Sequence, residues 1–198
     1  WIVQPYLQAH GCLGDLARAI RQESDLPVIA VGRIVDLDAA ERLLQEGSAD
    51  LVSMGRALIA DPDLPRKAAE KSASALRPCL GCNVCIQFVG VKQTRCAVNP
   101  EMGQERTHPA DPDLSHIVVI GGGPAGLEAA LAAADRGRQV TLLERESTLG
   151  GQLKLAAGFV SKPHFQRLLD YFLDEVDRAE IQIYLDTVVN LDLVRSLQ

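Results

Sequence analysis

Residues 116–126 read His-Ile-Val-Val-Ile-Gly-Gly-Gly-Pro-Ala-Gly, and this stretch decides the fold of the second half of the chain. The first five residues form an apolar run rich in β-branched side chains, which predicts a buried β-strand. Three glycines follow at once, and a helical pattern then runs over about residues 124–136. A strand that turns into a helix through G-x-G-x-x-G is typical of an α/β fold that binds a dinucleotide.

Each glycine of this motif has a separate physical role. Gly121 permits the tight turn, Gly123 lets a pyrophosphate approach the backbone, and Gly126 lets the helix pack closely on the strand. Pro124 and Ala125 begin the helix, whose N-terminus stabilises phosphate charge. The pattern therefore predicts that these five residues contact a nucleotide.

An acidic residue and a second glycine pair extend this candidate site. Glu144 follows a predicted strand at 139–143, 23 residues after Gly121, and can accept hydrogen bonds from ribose hydroxyls. Gly150 and Gly151 come next, ahead of Gln152. Paired glycines there either admit a cofactor to the backbone or simply form a loop.

Four of the five cysteines lie within an 18-residue stretch with the spacing C-x2-C-x2-C-x10-C: Cys79, Cys82, Cys85 and Cys96. Closely spaced thiolates suit a loop around a [4Fe–4S] cubane, since each iron needs one soft anionic ligand. A structural zinc site is the alternative, although zinc more often uses two separated C-x2-C pairs. Disulfides would leave Cys12 unpaired, and we expect Cys12 to be a buried small side chain outside the site.

The first 70 residues predict a strand-helix-strand unit. The apolar runs at 27–31 and 50–54 predict buried strands, the first of them buried on both faces. They flank a helix that Asp36 caps and Gly47 ends, and another helix covers 14–22. The strands end at Gly32-Arg33 and Gly55-Arg56. In a TIM (β/α)8 barrel the ends of the last strands commonly bind phosphate, whereas two surface arginines are the alternative interpretation.

Composition narrows the classes of function. The formal net charge of −6 and the absence of a basic stripe argue against a nucleic-acid partner. No run approaches the roughly 20 apolar residues of a membrane helix.

A charged, proline-rich stretch at 100–114 predicts a domain boundary. Because the chain begins with Trp1, we expect a fragment of a longer protein, and reduced thiols favour a cytoplasmic setting.

The order of these motifs resembles one family. The segments PVIAVGRI, DLVSMGRALIADPDLP, RPCLGCNVCI, VVIGGGPAGLEAA and LGGQL follow one another within residues 25–186. They resemble the iron–sulfur flavoenzymes of the NADH:flavin oxidoreductase (old-yellow-enzyme-like) family, the group of 2,4-dienoyl-CoA reductase and trimethylamine dehydrogenase.

The resemblance implies a domain order. Residues 1–70 would be the C-terminal end of an FMN-binding TIM barrel, 71–114 a [4Fe–4S] segment and linker, and 115–198 the N-terminal part of a Rossmann-like FAD-binding domain. The two Gly-Arg turns would hold FMN phosphate, the four cysteines the cluster, and the glycine motif with Glu144, Gly151 and Gln152 the FAD. The cysteine spacing is closer to the amine-dehydrogenase branch, in which ADP can replace FAD.

The resemblance also implies a reaction. Electrons would pass between NAD(P)H and an FMN-bound small-molecule substrate such as an enoyl or dienoyl compound. The alternative is an amine dehydrogenase or demethylase that passes electrons to an electron-transfer flavoprotein. A different class remains open, a non-catalytic nucleotide-binding module with a zinc knuckle. The catalytic residues and the oligomeric state are not implied, because the substrate-binding part of the barrel would lie outside this chain.

Overall fold

The computed structural model describes residues 3–70, 76–87, 90, 93–104 and 116–197. The chain divides into two compact units, Trp1–Glu105 and Arg106–Gln198. Both units are α/β and contain parallel β-sheets. The predicted linker at 100–114 lies largely outside the described residues.

The first unit contains the predicted strand-helix-strand arrangement. Helix α1 (Gly14–Gln22), strand β1 (Ile29–Ala30), helix α2 (Leu37–Gln45) and strand β2 (Leu51–Val52) follow in order, and the two strands pair in parallel. The Asp36 side chain accepts a hydrogen bond from the Ala39 backbone N–H at 2.8 Å, as predicted for the helix cap. The strands are shorter than their apolar runs.

Burial in this unit differs from the prediction. Ala30 is buried against Ala17 of α1 and Leu43 of α2, but Ile29 and Leu51 are more than half exposed. The prediction of strands buried on both faces is therefore wrong for the described residues. The physical reason is that the core of this unit lies on one face of the strand pair, where both helices pack.

Three short helices follow β2. They are α3 (Gly55–Ala60), α4 (Leu64–Ala69) and α5 (Val84–Gln87). The sequence predicts a short charged helix around residues 65–72, and α4 overlaps that range. Helix α3 begins at Gly55, so the second Gly-Arg pair forms the start of a helix. Helix α5 contains Cys85, so the cysteine motif includes a short helical turn.

The second unit is a three-stranded parallel sheet with helices. Its elements are β3 (His116–Ile120), α6 (Pro124–Ala134), β4 (Gln139–Leu143), α7 (Gln152–Ala157), α8 (Pro163–Arg178), β5 (Gln182–Tyr184) and α9 (Leu191–Ser196). The strand order is β3-β4-β5, with Ile117 opposite Val140 and Leu142 opposite Ile183. The predicted strands at 116–120 and 139–143 are confirmed in both type and bounds.

The core of the second unit lies where helices cover this sheet. Leu127 of α6, Leu142 of β4 and Val176 of α8 are at most 1% exposed. Helix α6 contacts β3, β4 and α8, and α8 also contacts α7. Burial of large aliphatic side chains from a central strand and two helices fixes the start of α6 relative to the end of β3.

Gly126 allows the start of α6 to lie close to the turn that follows β3. A Cβ built at Gly126 would overlap the carbonyl oxygen of Gly121 in the preceding turn. Around Gly123, by contrast, a Cβ would meet no heavy atom within 4 Å. The turn is thus tight on its inner side and open on its outer side. Within the described chain, no helix is both long and apolar enough to cross a membrane.

We predict that Gly126→Ala lowers the free energy of unfolding by about 1–3 kcal/mol, because the added methyl group forces the turn away from the helix. Gly123→Ala is the matched control, with an expected cost below about 1 kcal/mol: its Cβ meets no heavy atom of the described residues, and only the poorer N-cap preference of Ala acts. Urea denaturation of both variants measures the difference. Equal stability of the two variants would contradict the close packing at Gly126.

Candidate cofactor sites

The glycine-rich turn of the second unit leaves backbone exposed at the carboxyl end of the sheet. Gly121 has φ +100°, a left-handed conformation that favours glycine, and its N–H donates to the Leu143 carbonyl at 2.8 Å. Gly123 caps α6, and Pro124 occupies the first turn of that helix. Apart from the neighbouring residues in the chain, no heavy atom of the described residues lies within 4 Å of a Cβ built at Gly121 or Gly123. A ligand can therefore reach the backbone of this turn.

Glu144 lies at the end of β4 and bonds to the same turn. Its Oε2 accepts from the Gly122 N–H at 2.6 Å, and its Oε1 accepts from the Glu146 N–H at 2.8 Å. The side chain is buried. The Glu146 N–H and then the Gly122 N–H hold the pKa of Glu144 below its ordinary value, so this carboxylate stays ionised. It presents negative charge and lone pairs at the edge of the turn.

The second glycine pair packs against the first. The Gly150 N–H donates to the Gly122 carbonyl at 2.7 Å, and a Cβ built at Gly151 would lie 2.9 Å from the Gly123 Cα. Gly151 also has φ +49°, so two separate constraints favour glycine there. These contacts bring the Gly151-Gln152 segment to the glycine turn, with Gln152 at the start of α7.

A cavity of about 670 Å³ opens between these segments. That volume lies within the range of small-molecule sites. Gly121, Glu144, Gly151 and Gln152 line it, together with the exposed apolar side chains of Leu155 and Val188. The other predicted residues of the motif, Gly123, Pro124, Ala125 and Gly126, form the adjoining turn and helix start and do not line the cavity itself.

The two Gly-Arg turns of the first unit come together as predicted. Gly32, Arg33, Gly55 and Arg56 line one recess of about 230 Å³ at the carboxyl ends of β1 and β2. Gly32 has φ +107° and Arg33 has φ +52°. Parallel strands place the residues that follow them at one edge of a sheet, which explains why positions 32–33 and 55–56 meet.

Arg33 is buried, so the surface-arginine interpretation is wrong for it. Only 5% of the residue is exposed. Its Nη1 donates to the Pro5 carbonyl at 3.0 Å, but its buried Nε has no hydrogen-bond partner within the described part of the chain. Burial and then the neighbouring Arg56 lower the pKa of Arg33. An unpartnered buried N–H beside a second guanidinium is a strong reason to expect an anion.

Arg56 lies between this recess and the cysteine segment. Its Nη1 donates to the Gln4 carbonyl at 2.6 Å and to the Asn83 Oδ1 at 2.5 Å. Arg56 therefore lines the recess at the strand ends and also a second cavity.

That second cavity is lined by all four predicted ligands, Cys79, Cys82, Cys85 and Cys96. Cys85 is buried, Cys79 and Cys96 are partly exposed, and Cys82 is exposed. Among the described residues, no three or more His, Cys, Asp or Glu side chains are grouped closely enough to hold a metal ion, so the four thiols line the cavity without forming a ready metal site. Cys12 lies apart, with its Sγ 3.9 Å from the Gly32 carbonyl, and it is partly exposed where the sequence predicted burial.

The environment of the thiols combines burial with positive charge. Burial raises the pKa of the Cys79 and Cys85 thiols, while the Arg56 guanidinium acts in the opposite direction on both. Thiols with raised pKa values stay protonated until a metal displaces the proton. The guanidinium favours the thiolates that a metal requires.

Two further side chains fasten the cysteine segment. Asp61 is buried; its Oδ2 accepts from the Arg77 backbone N–H at 2.9 Å and from Lys67 Nζ at 2.8 Å. Asn99 donates from Nδ2 to the Ile59 carbonyl at 3.0 Å. These bonds tie both ends of the cysteine segment to α3 and the loop that follows it.

Sequence reasoning missed Asp61, Asn83 and Asn99. Asp61 lies in a stretch rich in Pro and Asp that predicted only a loop. Asn83 adopts φ +61°, a left-handed conformation that Asn accepts more readily than most residues. An Asn between two closely spaced cysteines was therefore the one feature of the sequence that indicated a turn at this position. Asn99 carries no sequence signal, because its partner is a backbone carbonyl 40 residues away.

Two family models match the chain. Residues 10–74 match the NADH:flavin oxidoreductase / NADH oxidase family, and residues 116–183 match the FAD dependent oxidoreductases. The first part of the chain is thus similar to NADH:flavin oxidoreductases, and the second part is similar to FAD dependent oxidoreductases. The family resemblance inferred from the motifs is thereby confirmed, and the matching relatives are enzymes by name.

Individual relatives agree with this assignment. The chain is 38% identical to an NADH oxidase of Thermoanaerobacter brockii, over 99% of this chain and 31% of that protein. Its structure resembles histamine dehydrogenase from Rhizobium sp. 4-9 with a TM-score of 0.88 and 32% identity, over 97% of this chain and 29% of the other. It also resembles a 2-naphthoyl-CoA reductase, with a TM-score of 0.87 and 29% identity, over 97% and 30%. The chain thus spans about a third of the length of these relatives.

We predict that the stability supplied by Glu144 is lost in acid. Its pKa is lower in the folded than in the unfolded chain, so the contribution is complete above the ordinary Glu value of about 4.3 and disappears as pH falls through the folded value. Glu144→Gln should cost about 1.5–3 kcal/mol at pH 7. The gap from the parent protein should shrink as pH falls below about 4.3 and through the lower folded-state pKa.

Urea denaturation of the parent and Glu144→Gln proteins at several pH values measures this gap. The exposed neighbour Glu146 provides the control, since Glu146→Gln leaves both side-chain bonds of Glu144 in place. A Glu144→Gln gap that stays constant with pH would contradict the role of the charge.

Proposed function

We propose that the chain is part of a multicofactor flavin oxidoreductase. Residues 1–70 would form the C-terminal end of an FMN-binding TIM barrel, 71–114 a [4Fe–4S] segment and linker, and 115–198 the N-terminal part of a Rossmann-like domain for FAD or ADP. The two family matches, one on each side of the cysteine segment, support this order. The single observation that carries the proposal is the convergence of four thiols on one cavity.

The donor set fits an iron–sulfur cluster. Cys79, Cys82, Cys85 and Cys96 supply four soft ligands, which is the number a cubane requires. They come from one segment, and its ends are fastened by Asp61 and Asn99. Four thiols are also sufficient for zinc, so metal content decides between a cluster and a zinc knuckle.

The recess at the strand ends fits a phosphate group. A Cβ built at Gly55 would meet no heavy atom of the described residues within 4 Å, whereas one built at Gly32 would overlap the Leu13 side chain. The backbone at Gly55 is therefore open, and Arg33 and Arg56 supply positive charge to the recess. The buried, unpartnered Nε of Arg33 is a donor that an anion would satisfy. We assign the phosphate of FMN to these four residues.

The glycine turn fits a dinucleotide or ADP. Gly121, Gly123, Pro124, Ala125 and Gly126 offer open backbone and a helix N-terminus for phosphate. Glu144 offers carboxylate lone pairs to ribose hydroxyls beside the large cavity, and Gly151 and Gln152 line the same cavity. The choice between FAD and ADP depends on residues beyond these.

When bound, the flavins would supply hydride transfer and the cluster single-electron transfer. The part of this chain is to bind these groups and to set their charge environment. We propose that the whole protein passes electrons between NAD(P)H and a small-molecule substrate such as an enoyl or dienoyl compound, in the cytoplasm. The likeness to an NADH oxidase and to a 2-naphthoyl-CoA reductase supports this direction.

A second candidate reverses the direction of electron flow. The likeness to histamine dehydrogenase and the C-x2-C-x2-C spacing favour an amine dehydrogenase or demethylase that delivers electrons to an electron-transfer flavoprotein. Reduction of the purified full-length protein by NAD(P)H, compared with reduction by methylated amines, distinguishes the two. Bleaching of the flavin by the amine alone would favour the second candidate.

We predict that Cys→Ser changes at positions 79, 82, 85 and 96 each abolish most of the bound iron and acid-labile sulfide, because each removes one cluster ligand. Cys12→Ser is the matched control and should retain both, since Cys12 lies outside the cavity. Iron and sulfide analysis of anaerobically purified full-length variants measures the loss. Zinc without labile sulfide in the parent protein, or iron loss in Cys12→Ser, would overturn the assignment.

We predict that Arg56→Ala weakens FMN binding by about tenfold or more, because charged hydrogen bonds to the phosphate are lost. Arg56→Lys keeps the charge without the planar fork and should weaken binding less. Arg66→Ala, at an exposed arginine of α4, is the control and should bind FMN normally. Flavin released from the full-length variants, separated into FMN and FAD, is the measurement. Loss of FAD in place of FMN would refute the phosphate assignment.

A further inference from the structure

Arg56 is shared by two recesses of the first unit. It lines the recess at the strand ends, together with Arg33, and it lines the cysteine cavity. Helix α5 also lies between the two recesses. Its residue Cys85 lines the cysteine cavity, and the next residue, Ile86, lines the recess at the strand ends. The two recesses are therefore separated by little more than one side chain and one helical turn.

Asn83 is one of two acceptors that hold the Arg56 guanidinium. Its Oδ1 accepts from Arg56 Nη1 at 2.5 Å, and its Nδ2 donates to the Val3 carbonyl at 3.4 Å. Arg56 Nη1 also donates to the Gln4 carbonyl. Of these two acceptors for Nη1, only Asn83 belongs to the cysteine segment, and it lies next to Cys82. A movement of that segment thus changes the hydrogen bonding of Arg56.

We propose that Asn83 is a positioning residue that couples the two recesses: metal–thiolate bonds that fix the cysteine segment also fix Arg56 for the phosphate of FMN. This inference rests on the proposed function, because it takes the cysteine cavity to hold a cluster and the other recess to hold FMN. Its consequence is thermodynamic. The cluster-loaded protein binds FMN more tightly than the cluster-free protein, and by reciprocity FMN stabilises the cluster.

The sign of the coupling follows from two opposing effects. A cluster and a phosphate are both anionic, and their direct repulsion weakens simultaneous binding. Against this, Arg56 lies beside both recesses, and its long side chain loses rotamer freedom when it is held by Asn83. A guanidinium that is already fixed loses no further rotamer freedom when FMN binds. Because its positive charge also offsets the repulsion between the two anions, the net coupling is positive.

The backbone at position 83 supplies a matched pair of variants. Asn83 has φ +61°, which Gly and Asp also accept. Asn83→Gly removes the acceptor for Arg56 without backbone strain. Asn83→Asp keeps an acceptor oxygen but loses the Nδ2 donor to Val3, as Gly does, so that bond cannot explain a difference between the two variants.

The experiment measures the dissociation constant of FMN for the full-length protein with and without its cluster, prepared anaerobically and after chelation. In the parent protein, cluster removal should weaken FMN by about fivefold or more. In Asn83→Gly the two constants should agree within about twofold, and in Asn83→Asp the difference should return. A variant that merely destabilised the fold would weaken FMN in both states without changing the ratio.

The outcomes separate this inference from the proposed function. Equal FMN affinities of the two parent forms, or tighter binding without the cluster, would overturn the coupling while leaving both cofactor sites intact. A coupling that survives unchanged in Asn83→Gly would remove Asn83 from it. Absence of FMN binding or of iron in the parent protein would instead refute the proposed function.

Discussion

The hydrogen bond between Arg56 and Asn83 links the two candidate sites of the first unit. Arg56 follows β2, and Asn83 lies inside the cysteine segment, so one side-chain contact joins the strand ends to the loop that carries the thiols. Asp61 and Asn99 reinforce the attachment at the two ends of that segment. Such bonds matter here because α5 is a single short turn and cannot hold the cysteines by helix packing alone. Polar contacts to α3 and its neighbours do so.

In the second unit, a glycine allows the candidate binding loop to be held close to the sheet and helix. Its parallel strands bring the turn after β3 and the carboxylate after β4 to one edge of the sheet. Gly126 then allows the helix to approach the Gly121 carbonyl, and Glu144 bonds to Gly122 between them. In both units, loops at the carboxyl ends of parallel strands carry the groups suited to anions, while strands and helices together form the core.

Much of this could be predicted from the sequence, for physical reasons that differ by element. The strands at 116–120 and 139–143 were predictable because a continuous apolar run between turn residues has few other solutions. The helix after Asp36 was predictable from its cap. The contacts of Asn83 and Asn99 were not, because an amide that bonds to a distant group leaves no periodic pattern. The half-exposed Ile29 and Leu51 were also not predictable, since apolar runs show that a strand forms but not which faces become covered.

The central claim is that four thiols of one segment converge to hold an iron–sulfur cluster beside Arg56. Anomalous diffraction at the iron absorption edge, from anaerobically grown crystals of the full-length protein, tests it most directly. The account predicts four iron positions grouped as a cubane in the cavity of Cys79, Cys82, Cys85 and Cys96, with one sulfur ligand from each. A single zinc ion among these thiols, or iron bound elsewhere in the protein, would contradict it.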